Sequence, residues 1–485
     1  PKGGDMRVLS VIFLGSFLCP LPTQAQWSFV RGDANGDASF DVGDAVFILD
    51  GLFGVPMAPV CEDAWDLDDD GTLDIADAVS ALNALFVPGT PVPPPPFPSC
   101  GVDPTADGLR CAGPLSTCPS ATFSATPDLV IVAPIEPDSV VVADLDLDGD
   151  LDLAWIDDLA RVAGVLQQPG GTFSSVPDFT TGPAGELTSL FVADINGDLW
   201  PDLIVTDRSN DRISIHLAIG AGVYPSAPDV MLGDVATTPW PGSVVAAELD
   251  DVPGVDLATA HFEPGSLTIF FQEPAGTYPS VPDLSVGEFP IIAGGHDIVA
   301  ADLDGDGDVD LATANYFRAD VTLFLQSTPG LFPDLPDTTL GGPGSTEQPL
   351  ALDATDLDGD GDQDLLVAMA DGVAVFLQGP SGVFSTSPDL LLPVTTSSID
   401  VATGDFNGDG RVDVVANDYA AHTLRVLFQW PDGTFPDASA LTLGGPLTTT
   451  SPASIAVADL DGDGALDIVT ANRVQDDITV FLGKH

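Results

Sequence analysis

The sequence predicts a mainly β chain built around a seven-bladed β-propeller of four-stranded blades, preceded by a small helical unit. Three observations carry this reading. An acidic loop recurs seven times, beginning at Asp144, Asp194, Glu248, Asp302, Asp356, Asp405 and Asp459, at intervals of 50, 54, 54, 54, 49 and 54 residues. Short apolar runs flank every loop in the same order, as in SVVVADL before the first and DLAWI after it. The seventh copy ends at ITVFLGKH without the Gly-x-aromatic segment of the other copies, and a matching piece, ATFSATPDLVIV, stands at 121–132, ahead of the first loop.

The flanking runs have strand lengths, so each acidic loop reads as the connection of a hairpin. A third run follows, for example VTLFLQ at 321–326 and VAVFLQ at 373–378, and then a Gly-x-aromatic segment and a fourth run, as in GTFSSVPDF from Gly171. Four strands in each of seven repeats predict the propeller. A linear β-solenoid of seven coils is the competing architecture. The displaced N-terminal strand favours the propeller, because it completes the last blade and removes the open sheet edges.

Charge narrows the function classes. The chain carries 74 acidic and 12 basic residues, a net −62, and 66 of the acids are Asp against 8 Glu. Such a chain repels nucleic acid and anionic membrane surfaces, which excludes both as partners. The Asp excess has its own meaning, since short carboxylates suit tight oxygen-ligand loops. In the stretch ADLDGDGDVD, Asp302, Asp304, Asp306, Asp308 and Asp310 alternate. At ~5 Å each pair repels by roughly 1–3 kcal/mol, so a cation is required, and oxygen-only donors select calcium. Six copies keep D-x-[DN]-x-D with Asp at the ninth position: Asp144, Asp146, Asp148 and Asp152; Asp194, Asn196, Asp198 and Asp202; Asp302, Asp304, Asp306 and Asp310; Asp356, Asp358, Asp360 and Asp364; Asp405, Asn407, Asp409 and Asp413; Asp459, Asp461, Asp463 and Asp467. The copy at Glu248 has Val252 in place of the fifth ligand, which predicts an empty or very weak site.

The N-terminal region divides into three parts. Met6-Arg7, the apolar run Val8 to Leu18 and Thr23-Gln24-Ala25 read as an export signal within residues 1–25. The run is too short to span a bilayer. A secreted or cell-surface protein is therefore expected, with no membrane insertion of the mature chain. Cys61, Cys100, Cys111 and Cys118 then remain, an even number in an oxidising compartment, and two disulfides are expected. Three connectivities are open; Cys61–Cys100 with Cys111–Cys118 is favoured because the second pair closes a short loop. No His lies near them in zinc-site spacing. Residues 88–120, with VPGTPVPPPPFPSC, read as a Pro/Cys-rich linker.

Residues 26–87 hold a duplication. DANGDASFDVGDAVFILDGLF from Asp33 is matched 33 residues later by DLDDDGTLDIADAVSALNALF. Loop positions 1, 3, 5, 9 and 12 are oxygen donors in both: Asp33, Asn35, Asp37, Asp41 and Asp44, then Asp66, Asp68, Asp70, Asp74 and Asp77. An apolar pattern of helical period follows each loop. This unit resembles a type I dockerin domain, which implies two calcium loop-helix motifs and docking to a cohesin-type module. One departure is Ala38 at the sixth loop position, where Gly71 stands in the second copy, which implies a weaker first site. The repeats of 121–485 resemble the FG-GAP or VCBS-type family, whose propellers also form the head of integrin alpha chains. That resemblance implies the fold and calcium at the six intact loops, about eight sites in the whole chain.

The scarce basic residues gather elsewhere. Arg161, Arg208, Arg212, Arg318 and Arg473 fall in or beside the connections between second and third strands, at the end of the propeller opposite the acidic loops. His261, Phe262, Tyr316, Phe317, Tyr419 and His422 join them, and Trp240 and His296 precede first strands. Two readings stand. The arginines pair with local acids such as Asp157, Asp211 and Asp320, or Arg208, Arg212, Trp240, His261, Tyr316, Arg318, Tyr419 and Arg473 form a binding face for sugars or acidic polysaccharide. No nucleophile elbow, Ser-His-Asp order, paired-Glu system or zinc helix stands out. The expected function is a secreted calcium-binding recognition or adhesion protein, with a carbohydrate or protein ligand on the propeller and a cohesin-type partner for the dockerin-like unit. A dockerin-borne polysaccharide hydrolase or lyase and a structural cell-surface protein are the alternatives.

Overall fold

Each repeat contains a strand that opens on an aspartate and then runs apolar, from DLAWID at Asp152–Asp157 to DIVTAN at Asp467–Asn472, and all six residues of every copy are buried. A strand covered on both faces favours apolar side chains, its buried polar ones such as Asp152 and Asn472 being hydrogen-bonded, and stacked sheets provide that cover. In this computed structural model the described residues are 34, 42–53, 64–67, 73–87 and 123–484, apart from 134–135, 160, 183–184, 264, 275, 380–381, 393–396, 431–432 and 436–439. They fall in two units, Pro1–Cys118 and Pro119–His485.

The second unit is a seven-bladed propeller. It holds seven four-stranded antiparallel sheets. Blade 1 is Pro137–Ala143, Asp152–Asp157, Arg161–Val165 and Phe179–Thr181. The next five blades repeat this order with first strands Leu187–Ala193, Pro241–Ala247, Gly295–Ala301, Ala351–Thr355 and Val401–Gly404. Blade 7 is Pro452–Ala458, Asp467–Asn472 and Asp477–Phe481, completed by the N-terminal strand Leu129–Val132. The expected closure is present, with Leu129 opposite Val480 and Val132 opposite Asp477. Each first strand neighbours the first strand of the next blade, and that of blade 7 returns to blade 1.

The core lies between blades. Seven apolar clusters occupy the seven junctions, as where Leu323 and Leu340 of blade 4 meet Leu365 and Phe376 of blade 5. Burying a Leu or Phe side chain contributes about 1.5–3 kcal/mol, so each junction holds its two sheets together strongly. Five first strands carry a bulge at their start, at Asp138, Thr188, Gly242, His296 and Ala453. The bulge turns that residue out of the ladder. At Gly242 a Cβ would lie 2.6 Å from the Gly295 carbonyl oxygen, so blades 3 and 4 approach there only over glycine.

In the first unit, helices α1 (Val42–Phe53) and α2 (Ile75–Phe86) pack around Trp65 with Ala45, Ile48, Ala78 and Ala81. Phe47 meets Trp65 edge-on at 5.5 Å, and the Trp65 indole N–H donates to the Ala34 carbonyl at 2.9 Å. Asp74 caps α2, accepting from the Ala76 N–H, while Asp77 accepts from the Asp74 and Leu67 N–H groups. Of the ten expected ligands in this unit, Asp44, Asp66, Asp74 and Asp77 are described and Asp33, Asn35, Asp37, Asp41, Asp68 and Asp70 are not. The export signal, residues 88–122 and the four cysteines also lie outside the described residues. Among the described residues no helix is long and apolar enough to cross a membrane.

Candidate metal centres and the opposite rim

The acidic loops connect first to second strands, all at one end of the propeller. In the first loop Asp144 accepts the N–H groups of Asp148 and Gly149, Asp146 accepts that of Asp148, and Asp148 accepts that of Asp150. These bonds fold the chain back so that carboxylates converge. Gly305 and Gly307 take φ of +78° and +97° in the fourth loop, a backbone that favours glycine, which is why D-G-D-G recurs.

Among the described residues five loops bring three carboxylates within 4.8 Å of one another: Asp144/Asp146/Asp152, Glu248/Asp250/Asp256, Asp302/Asp304/Asp306, Asp356/Asp358/Asp360 and Asp459/Asp461/Asp467. The loops of blades 2 and 6 place an amide, Asn196 or Asn407, at the third position instead. The donor set fits a hard cation, since every ligand atom is oxygen. Asp459 adds a direct sign, because its Oδ1 is buried and meets no hydrogen-bond donor. Burial, with repulsion from the neighbouring carboxylates, raises the pKa of Asp146, Asp304 and Asp358. Four residues of each intact loop, Asp302, Asp304, Asp306 and Asp310 and their counterparts, would hold calcium, which would relieve that repulsion.

Two loops differ from expectation. The blade 3 loop lacks a donor at Val252, yet Glu248, Asp250 and Asp256 still converge, so it has lost one ligand rather than its shape. In blade 6 the Arg411 guanidinium pairs with Asp409, an expected ligand. A cation there competes with an internal one.

The ninth-position aspartates also organise the blades. All seven, Asp152, Asp202, Asp256, Asp310, Asp364, Asp413 and Asp467, are fully buried. One oxygen of each accepts the N–H of the second loop residue at 2.8–3.0 Å. The other accepts the N–H at the end of the third strand at 2.6–2.8 Å. Burial pushes their carboxyls up, to about 6 at Asp152, Asp202, Asp256, Asp364 and Asp467, about 7 at Asp310 and about 8 at Asp413. A further set, Asp128, Asp178, Asp229, Asp283, Asp337 and Asp389, follows proline and latches the fourth strand, accepting a third-strand N–H at 2.9–3.1 Å. Sequence reasoning missed these, although Pro-Asp recurs before each fourth run.

At the opposite end the arginines are paired. Arg161 meets Asp157 at 2.6 Å, Arg212 meets Asp207 at 3.3 Å, Arg318 meets Asp320 at 2.9 Å, Arg473 meets Asp138 at 2.5 Å and Arg208 meets Glu186 at 3.4 Å. Asp157 and Asp320 are the expected partners. Asp211 is not, because it sits in a left-handed turn and gives its carboxylate to the Trp240 N–H. His261 departs from the binding-face expectation altogether. It is fully buried at the end of its strand, bonded to the Pro239 carbonyl and Thr268 hydroxyl, with burial pushing its imidazole down to about 4.

An aromatic group remains on this rim. Phe262 lies 5.1 Å from Phe317, 6.2 Å from Tyr316 and 6.2 Å from His296, and the Arg208 guanidinium stands 5.3 Å over its ring. Trp240 is 48% exposed and Phe317 57% exposed. The Phe262 N–H donates to the Trp240 carbonyl, so the backbones of these two residues are neighbours on this rim. Tyr419 and Arg473 stand on blades 6 and 7, and Arg473 donates to Asp138 of blade 1.

Within the channel, Asp297 and Asp353 sit on the innermost strands of blades 4 and 5, and Asp400 directly precedes that of blade 6. Each clasps the next blade: Asp297 accepts the Leu352 N–H, Asp353 the Thr403 hydroxyl and Asp400 the Ile455 N–H. Burial, and then mutual repulsion, pushes Asp400 up to about 7 and raises Asp353; burial raises Asp297.

Sequence comparison assigns the repeat type. The FG-GAP-like repeat family matches residues 144–205, 302–367, 356–416 and 405–470. These stretches are FG-GAP-like. Among solved structures the chain is similar to BBS1N in complex with ARL6DN, at 13% identity and TM-score 0.51, over 75% of this chain and 97% of that one. At that identity the likeness is one of fold alone. The chain is also similar to an Agrocybe aegerita lectin that recognises non-reducing terminal N-acetylglucosamine, at 20% identity and TM-score 0.47, over 64% of this chain and 81% of that one. A third similar structure is streptogramin B lyase, at 11% identity and TM-score 0.49, over 73% and 97% of the two chains. No curated protein sequence matches the chain. Each FG-GAP-like match runs from the acidic loop of one blade into the second strand of the next.

Proposed function

We propose that this chain is a secreted, calcium-stabilised recognition protein whose FG-GAP-like propeller binds an extracellular carbohydrate on the rim opposite its metal loops. The observation that carries the reading is the pairing of two features on opposite ends of one ring. Converging carboxylates at one end call for a divalent cation, and a patch of exposed aromatic rings at the other offers stacking faces for sugar rings. Calcium has a structural part, relieving repulsion in loops that join strands, and dissociation constants of about 0.1–1 mM suffice outside cells. The paired arginines favour neutral over acidic sugars, because a guanidinium already facing a carboxylate gains little from another. The duplicated ten-oxygen pattern and the helix pair around Trp65 support a dockerin-like unit that docks on a cohesin-type module.

The test incubates mature protein and calcium with a panel of neutral and acidic polysaccharides, recording retention on the polymer and release of new chain ends. Retention without release, lost in Trp240→Ala with Phe317→Ala, is the expected result. Release of new ends would instead assign a polysaccharide hydrolase or lyase, and no retention on any polymer would overturn carbohydrate recognition.

A further inference from the structure

The metal loops are joined to one another around the ring. In five blades the carbonyl of the second loop residue is held by the blade that follows. Leu460 of blade 7 accepts from Gln167 Nε2 of blade 1 at 2.9 Å, Ile195 of blade 2 from Gln272 Nε2 of blade 3 at 2.7 Å, and Leu357 of blade 5 from Gln429 Nε2 of blade 6 at 2.7 Å. Leu145 of blade 1 accepts from the Gly222 N–H at 3.1 Å and Leu249 of blade 3 from the Gly330 N–H at 2.8 Å, again from the next blade.

The same glutamines reach inward to their own loops. The backbone N–H groups of Gln167, Gln272 and Gln429 donate to Asp152, Asp256 and Asp413, the ninth-position aspartates of their own blades. Those aspartates accept in turn from Leu145, Leu249 and Phe406, the second residues of their own loops. A line of hydrogen bonds therefore runs from one loop, through the next blade's glutamine and buried aspartate, into that blade's loop.

We propose that this glutamine relay couples adjacent metal loops, so that calcium affinity at one loop depends on its clasp by the next blade. The proposal rests on the calcium reading above. The glutamines are positioning residues, since they touch the loop backbone and not the ion. A cation draws the loop inward around its carboxylates, and a loop whose second carbonyl is pinned from outside is pre-formed for that closure. Releasing the pin leaves the carboxylates in place but makes ordering the loop part of the cost of binding.

Blade 5 supplies the control. Gln378 occupies the equivalent position, with its backbone N–H on Asp364 at 2.8 Å, but its buried amide has no partner. Calcium alone is titrated against the mature full-length chain and its Gln429→Leu and Gln378→Leu variants, with melting recorded in chelator. The relay requires Gln429→Leu to weaken uptake at one class of site by about two- to tenfold, the worth of one hydrogen bond. Gln378→Leu should titrate like wild type. If both variants match wild type, or both weaken alike, the coupling is overturned. If wild type takes up no calcium, the calcium reading itself fails, before any variant is compared. Should Gln429→Leu fail to fold in chelator, Gln272→Leu, which frees Ile195, replaces it with the same outcomes.

Discussion

At Asp256 the two carboxylate oxygens take the Leu249 and Gln272 N–H groups, in the one loop that lacks a fifth ligand. The clasp therefore holds without a complete metal site. Asp256→Ala should cost about 2–3 kcal/mol in urea unfolding, in calcium and in chelator alike, because two buried N–H groups lose their acceptor. A loss seen only in calcium would mean that the residue serves the metal alone. The sequence showed the aspartate excess and tied it to calcium, but the excess has further uses. The Pro-Asp latches escaped because their acceptor role depends on the end of a strand twelve residues earlier or, for Asp128, on Leu482 at the far end of the chain. His261 was legible in principle. It ends DLATAH, a second strand, and the final residue of every copy of that strand is buried.

On the proposed calcium reading the loop is the element on which the ion acts, and its protons compete with the ion. The ninth-position carboxyls titrate near 6 to 8 in the metal-free fold because they are buried. Bound calcium needs them ionised, so binding releases protons and weakens as pH falls through that range. The calcium-induced rise in melting temperature should be smaller at pH 5 than at pH 8; an equal or larger rise at pH 5 would contradict this. Arg411 gives a second check. Arg411→Gln removes the cation paired with Asp409 and should strengthen uptake at the blade 6 loop by about two- to fivefold, the scale of a partly exposed ion pair. The seven loops were legible from spacing alone. Arg411 was visible in the sequence as well, but which carboxylate it meets depends on the fold of the loop.

The ring as a whole depends on closure at two places. At its outer edge Leu129–Val132 completes blade 7, and removing residues 123–132 should leave Asp477–Phe481 as an open edge and make the protein aggregate on heating. Light scattering no different from the full chain would contradict that role. In the channel, Asp297, Asp353 and Asp400 clasp successive blades with pKa values raised by burial. A raised value means that the folded ring holds protons the unfolded chain gives up, so these groups favour folding most below about pH 4 and lose that contribution as pH rises through about 7. Melting in chelator should fall between pH 5 and pH 8, and Asp400→Asn should flatten part of the slope. The blade count and the three-plus-one closure were readable because both are matters of order along the chain. The channel carboxylates were not, since their neighbours come from blades about fifty residues apart.

The most direct test of the account counts calcium retained by the mature chain at equilibrium dialysis against millimolar calcium and compares melting in calcium and in chelator. Retention of about six or more ions per chain, one for each propeller loop that keeps its full set of oxygen donors, together with a large drop in melting temperature on chelation, is the result expected. A chain that retains no calcium and melts at the same temperature in both would contradict it.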